Sequence, residues 1–211
     1  MHESQLGLSP QGRPLHATRL LEEVEQAVAV AGGWKAVDLL AVGLGPGSFT
    51  GLRVGISTAR GLSVSLGLPA RGVCTLDAVA AGIGEAGATG ERLAVLDGWR
   101  GEVFAALYSP EGGRIWEPAV YRPEDLAARI AALAEPPSVA GSGAVRFRDE
   151  LAQGGVRMPD DSDPVHRVAG RHVCALAASM EGEDRDGLAP IYLRPPDAER
   201  WRERDASQRA Q

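Results

Sequence analysis

From Val37 to Cys74 the chain runs through a short apolar segment, a glycine-rich turn, a long helical stretch and a second short apolar segment. Val37 to Leu44 (VDLLAVGL) is almost continuously apolar, the pattern of a parallel strand covered on both faces. Gly45-Pro46-Gly47-Ser48-Phe49-Thr50-Gly51 turns into a helix over Leu52 to Leu66. Pro69 breaks the chain, and Ala70 to Cys74 is the next strand. This alternation favours a layered α/β architecture. At roughly 150 residues per domain, 211 residues allow one large domain or two small lobes. With 44% hydrophobic and 24% charged residues, the chain can bury a core.

The flanking segments extend the pattern. The first fourteen residues are polar and read as a loop or the remains of a hairpin. Leu20, Leu21, Val24, Val28 and Ala31 then recur at helical spacing until Gly32-Gly33 stops the helix. Thr75 or Asp77 caps a small helix through Ala81. Arg92 to Asp97 and Glu102 to Tyr108 form a β-hairpin across Gly98-Trp99-Arg100-Gly101. Pro123-Glu124-Asp125 opens a helix to Ala134, Ser138 to Ala140 is a short strand, and Asp163-Pro164 caps a last long helix to about Met180. From Leu193 the chain is charged and reads as a mobile tail.

Several chemistries are excluded. With 28 acids against 22 bases the net charge is −6, so the whole chain repels phosphate backbones, and any contact with nucleic acid is expected through a partner. The single lysine, Lys35, follows Trp34 and cannot serve a Walker-type P-loop. His2, His16, His166 and His172 include no pair at helical i, i+4 spacing, so no metal site is expected. No Ser-His-Asp triad is legible either, and Ser48 lacks the context of a nucleophile elbow. Asp38, Asp77 and Asp97 read as cap or turn acids. Cys74 and Cys174 read as reduced core residues. No apolar stretch reaches the roughly 18 residues of a membrane span, and Met1-His2-Glu3-Ser4-Gln5 does not resemble a secretory signal. The expected location is the cytoplasm.

Two features remain open to more than one reading. The turn at Gly45, Gly47 and Ser48 can present backbone N–H groups to a phosphate, or can simply be the tight turn that glycine permits. On the second helix Gly51, Gly55, Ala59, Ser63 and Gly67 form a ridge almost without side chains, beside the bulky row Leu52, Ile56, Arg60, Val64 and Leu68. A smooth ridge lets another element approach closely. That element is either the chain's own body or a second polypeptide, and the residues alone leave both readings standing.

The run Gly45 to Gly61, GPGSFTGLRVGISTARG, closely resembles the signature of the TsaB (YeaZ) family. The resemblance continues through Leu68-Pro69, Thr75 to Ala78, Asp97 to Tyr108 and Pro190 to Glu199, and so spans about Leu15 to Glu199. It implies a two-lobed actin/hexokinase/Hsp70-like (ASKHA) fold, with an N-terminal lobe over 1–85, a C-terminal lobe over 86–193 and a flexible tail over 194–211. It also implies a non-catalytic accessory subunit in the formation of N6-threonylcarbamoyladenosine at position 37 of tRNAs reading ANN codons. The catalytic paralogue TsaD would dock on the first two helices, through Leu20, Leu21, Val24, Val28, Gly51, Leu52, Gly55, Ile56, Ala59, Arg60 and Ser63. A TsaE-like ATPase would join, tRNA would be met only through the complex, and the free subunit would form a homodimer.

The catalytic paralogue carries an HxxxH-type metal motif, whereas Val73 to Val79 here contain no histidine. The resemblance therefore assigns this chain no catalytic residue, metal or cofactor of its own, leaving ATP and metal to the partner complex. TsaB proteins usually begin with a strand bearing an Asp-Thr-Ser-like turn, which this sequence lacks. That implies a truncated N-terminal lobe, through a late start or an unstable fragment, with an exposed strand edge beside Val37–Leu44. A glycoprotease-like peptidase and a small ASKHA-type kinase are the competing functions.

Overall fold

In the computed structural model, residues 2–4, 16–181 and 187–194 are described. The chain first forms α1 (His16–Ala31), β1 (Leu40–Gly45), α2 (Phe49–Leu66), β2 (Ala70–Cys74) and α3 (Thr75–Glu85). It continues with β3 (Arg92–Asp97), β4 (Val103–Tyr108), β5 (Arg114–Tyr121), α4 (Pro123–Ala131), β6 (Ser138–Ala140), α5 (Ser142–Arg146), α6 (Arg148–Ala152) and α7 (Gly170–Ser179). The α/β class expected from the sequence holds.

β1 and β2 pair in parallel, Leu40 opposite Ala70 and Gly43 opposite Val73. Alternation along β1 divides its side chains between two layers. Leu40, Val42 and Leu44 pack with Ile56 and Leu52 of α2, and Ala41 packs with Val173 and Ala177 of α7. This is the two-sided cover that the unbroken apolar run called for. Among the described residues the other edge of β1 carries no strand.

The second sheet has the order β5-β4-β3-β6. β4 is buried along its whole length. One face, with Leu96, Phe104, Ala106 and Tyr108, meets Leu76, Val79 and Ile83 of α3. The other, with Leu93, Val95, Val103 and Leu107, meets Leu126 and Ile130 of α4 and Leu151 of α6. α3 thus lies between the two sheets and also contacts α7.

Several local expectations change. β1 begins at Leu40 rather than Val37, α2 begins at Phe49 rather than Leu52, and α4 ends at Ala131 rather than Ala134. β5 was not expected, because an edge strand need not be apolar: Arg114, Ile115 and Glu117 are exposed and Pro118 interrupts the run. The helix expected over Asp163–Met180 is two elements. Asp163 caps only one turn, Pro164–His166, and α7 starts afresh at Gly170. Buried His166 is the reason: its Nδ1 accepts from Gly141 N at 3.2 Å, tying this turn to the β6–α5 junction. Cys174 is exposed rather than in the core, while Cys74 is buried as expected and both are free. The expected tail start at Leu193–Arg194 also changes, since Arg194 is held by Gly98 O and Glu102. Residues 195–211 lie outside the described residues.

Candidate functional site

Two surfaces are built on α2. The first is the outer face of α1 and α2, which pack against one another. α2 ends at Gly67, whose φ of 67° closes the helix in the left-handed conformation glycine permits. Its smooth ridge does not face solvent. Ile56, Ala59 and Ser63 are buried within this chain, and the Ser63 hydroxyl donates to Leu68 O at 2.6 Å. A Cβ at Gly55 would lie 3.7 Å from Val42 Cγ2.

The absence of side chains therefore seats α2 on its own sheet, which corrects the expectation that Gly55, Ile56, Ala59 and Ser63 meet a partner directly. Gly51 and Leu52 are half-buried beside them, and Arg60 is exposed. The row turned outward is Arg53, Ser57, Gly61 and Ser65, flanked by Arg60 and Val64. A Cβ at Gly61 would meet nothing within 4 Å. On α1, Leu20, Val24 and Val28 are half-buried and Leu21 is exposed. Among the described residues, five large apolar side chains of the two helices stand in solvent: Phe49 at the cleft, and Leu21, Val30, Leu66 and, at 80% exposure, Val64.

The second surface is a cleft of about 530 Å³ between the α2 entry turn, the β3–β4 turn and residues 191–194. Gly45 has φ 107°, and a Cβ there would stand 2.9 Å from Leu52 Cδ1 and 3.0 Å from Ile191 O. That glycine is required by the chain's own packing. Gly47 and Ser48 do line the cleft, and Ser48 caps α2, its Oγ accepting from Gly51 N at 3.4 Å. The sequence turn is thus divided between a structural glycine and two residues at the cleft wall.

The opposite wall is the β3–β4 turn. Trp99, Arg100 and Gly101 have φ of 56°, 57° and 76°. Glu102 N donates to Trp99 O at 3.1 Å, so Arg100 and Gly101 supply the left-handed pair of a type I′ turn. Each non-glycine residue held there costs about 1–2 kcal/mol. Asp97 supports the turn as the expected turn acid: its Oδ1 accepts from Trp99 N at 2.9 Å and its Oδ2 pairs with Arg146 at 2.7 Å.

The floor is a C-terminal strap that the sequence reading missed. Leu188 is buried with Ile56 and Ala70, and Ile191 N donates to Leu44 O at 2.8 Å. The Tyr192 ring stacks on Phe49 with centroids 5.4 Å apart. The Arg53 guanidinium lies 4.0 Å from the Phe49 centroid, and its Nε donates to Tyr192 Oη at 3.2 Å. The nearly continuous apolar run Leu188-Ala189-Pro190-Ile191-Tyr192-Leu193 was the available signal, but the charged residues that follow concealed it.

Asp77 does not cap α3. Its Oδ1 accepts from Tyr108 Oη at 2.7 Å, and Arg114 grips both oxygens at 3.0 and 2.8 Å. Burial, then the hydrogen bond to Asp77, pushes the Tyr108 phenol far above its usual range. The Asp77 hydrogen bond likewise raises Arg114. The cluster is a fixed tie between α3 and the second sheet. Among the described residues, no group of three His, Cys, Asp or Glu side chains could hold a metal ion, and no helix is long and apolar enough to cross a membrane.

Comparison with known proteins accounts for the framework. The family model for TsaD, tRNA N6-adenosine threonylcarbamoyltransferase, matches residues 1–153. The tRNA threonylcarbamoyladenosine biosynthesis protein TsaB of Escherichia coli is 31% identical over 188 residues, 85% of this chain and 80% of that protein. The chain belongs to the TsaB family. An uncharacterized protein of Mycobacterium tuberculosis is 37% identical over 187 residues, 87% of this chain and 77% of that protein. The solved structure of YeaZ from Pseudomonas aeruginosa superposes with a TM-score of 0.65 at 31% identity, covering 86% of this chain and 87% of that one. With these relatives, the ASKHA-like fold implied by the sequence resemblance stands, and the peptidase and kinase alternatives are not favoured.

Proposed function

We propose that this TsaB-family chain is a non-catalytic accessory subunit in the formation of N6-threonylcarbamoyladenosine at position 37 of tRNAs reading ANN codons. It pairs with a TsaD-like catalytic paralogue through the exposed face of α1 and α2. The observation that carries this reading is the exposure of Leu21, Val30, Val64 and Leu66 on two packed helices, in a family named for this pathway. Such apolar side chains are better placed against another protein than in water. The outward row of α2, with Ser57 and Gly61 as its small members, admits a partner helix closely.

The metal and ATP of the transfer are held by the partner subunits. A stretch without histidine at Val73–Val79 supports this. A TsaE-like ATPase joins the assembly, and tRNA is reached through the complex, in keeping with this chain's net charge of −6. Without its partner, the same α1–α2 face self-associates as a homodimer.

The test is a pull-down against the TsaD paralogue and the ATPase, followed by a tRNA-modification assay with and without this chain. Modification is expected only when it is present. Equal modification without it, or peptide cleavage by the purified chain alone, would overturn the assignment.

A further inference from the structure

β1 is covered on both faces but not along its outer side. Its packing partners lie on α2 and α7, yet Leu40 to Leu44 all stay half-buried, while β4 is buried throughout. Leu40 N donates to Pro69 O at 2.9 Å. Backbone groups alternate in direction along a strand, so Leu40 and Val42 turn theirs toward β2, and Ala41 and Gly43 turn theirs away. Among the described residues no strand receives them.

The borders of the other sheet are defended. β5 carries Arg114, Glu117 and Pro118, and Ser138 of β6 is bridged by Arg157. Charge, proline and covering chain are the devices that keep an edge from pairing. Leu39 to Gly45 contains neither charge nor proline. α1 is in a similar state. It packs on α2, and among its described side chains from Arg19 to Ala31 none is buried, so the row Leu20, Val24, Ala27 and Val28 is only half covered.

We propose that β1 pairs edge to edge with β1 of a second copy of this chain, antiparallel about a two-fold axis at Ala41. This register sets Ala41 opposite Ala41 of the second copy, Leu40 opposite Val42, and Leu39 opposite Gly43, so that the outward N–H and C=O groups satisfy one another. Each of these pairs is apolar, and Asp38 falls opposite Leu44, so no like charges meet. A self-complementary segment is what a two-fold interface requires. The two-stranded sheet becomes four-stranded, past the three strands at which a sheet gains independent stability, and the half-covered row of α1 gains a wider sheet to lie on. This edge is separate from the outward face assigned to the TsaD-like partner, and the inference does not rest on that reading.

The experiment is sedimentation equilibrium of the full chain carrying Val64→Glu, which sets like charges on the outward face and so removes association there, combined with amide hydrogen exchange. The mass is expected to double between about 1 and 100 μM, the range of a small interface. The Ala41 and Gly43 amides should exchange roughly tenfold or more slowly in the dimer than in the monomer. Adding Ala41→Pro removes an outward N–H and no bond to β2. It should hold the chain at the monomer mass while melting within about 4 °C of its parent at low concentration. If that variant unfolds, the exchange rates of the two amides decide by themselves.

A monomer at every concentration, a dimer that Ala41→Pro leaves intact, or slow Ala41 and Gly43 amides in a monomer, where another segment of the same chain covers the edge, would each overturn the proposal. Capture of the TsaD paralogue by the single variant Ala41→Pro is expected to be unchanged, which separates failure here from failure of the proposed function.

Discussion

Replacing Gly55 and Gly61 by tryptophan, one at a time, separates the inner and outer faces of α2. The two glycines are six residues apart on one helix but face different surroundings. A Cβ at 55 would already lie 3.7 Å from Val42 Cγ2, whereas one at 61 meets nothing within 4 Å. An indole at 55 must therefore displace β1 or lift the helix, an overpacking cost of about 3 kcal/mol, the upper end of the usual range. For a chain of this size that lowers the melting temperature by roughly 6–12 °C.

At 61 the indole projects into solvent, and replacing glycine in a helix returns about half a kcal/mol of propensity. Gly61→Trp should therefore melt within about 2 °C of the parent. The assay pairs thermal unfolding with co-purification on the TsaD paralogue. Gly61→Trp is expected to fold and lose the partner, and Gly55→Trp to lose stability first. A Gly55→Trp variant as stable as the parent would refute the inward placement of the smooth ridge. Full partner capture by Gly61→Trp would refute docking through the outward row.

Three further perturbations probe the frame. Tyr108→Phe removes a buried hydroxyl from the Asp77 carboxylate and should cost about 1.5–3 kcal/mol in denaturant unfolding; no loss would mean that Arg114 alone satisfies Asp77. Leu188→Ala empties a site that is 1% exposed and should cost about 2–5 kcal/mol, while an unchanged unfolding midpoint would show that the strap is not part of the core. The hydrogen bond to His172 and then that to Arg171 hold the Glu85 carboxyl below its usual range. Its folded value is lowered, so its stabilisation is present above the unfolded carboxylate pKa of about 4.3 and disappears as pH falls through the folded value. Glu85→Gln should therefore melt below the parent at pH 7, and the gap should close on acidification; a gap that persists in acid would contradict this origin.

The acidic variant also shows what a single side chain conceals in sequence. Glu85 carries no local signal of its role, because both of its partners arrive from α7, more than eighty residues away. Asp77 was legible as an acid near a helix start, yet Tyr108 and Arg114 outbid the cap because they bring a buried hydroxyl and a full charge. β5 was hidden because the charged Arg114 and Glu117 and the interrupting Pro118 break the pattern that marks buried strands.

Local chemistry, by contrast, was readable where near neighbours decide the conformation. The apolar run of β1, the glycine stop after α1 and the hairpin of β3 and β4 follow from side-chain periodicity and backbone freedom within a few residues. The signature of Gly45–Gly61 was likewise enough to indicate the family. The direction in which α2 presents its bare ridge could not be read, because small residues permit close approach without specifying what approaches. Packing on Val42 decided that, as the folding of residues 188–194 over the start of α2 decided the shape of the cleft. Long-range contacts choose between surfaces that short-range preferences leave equivalent.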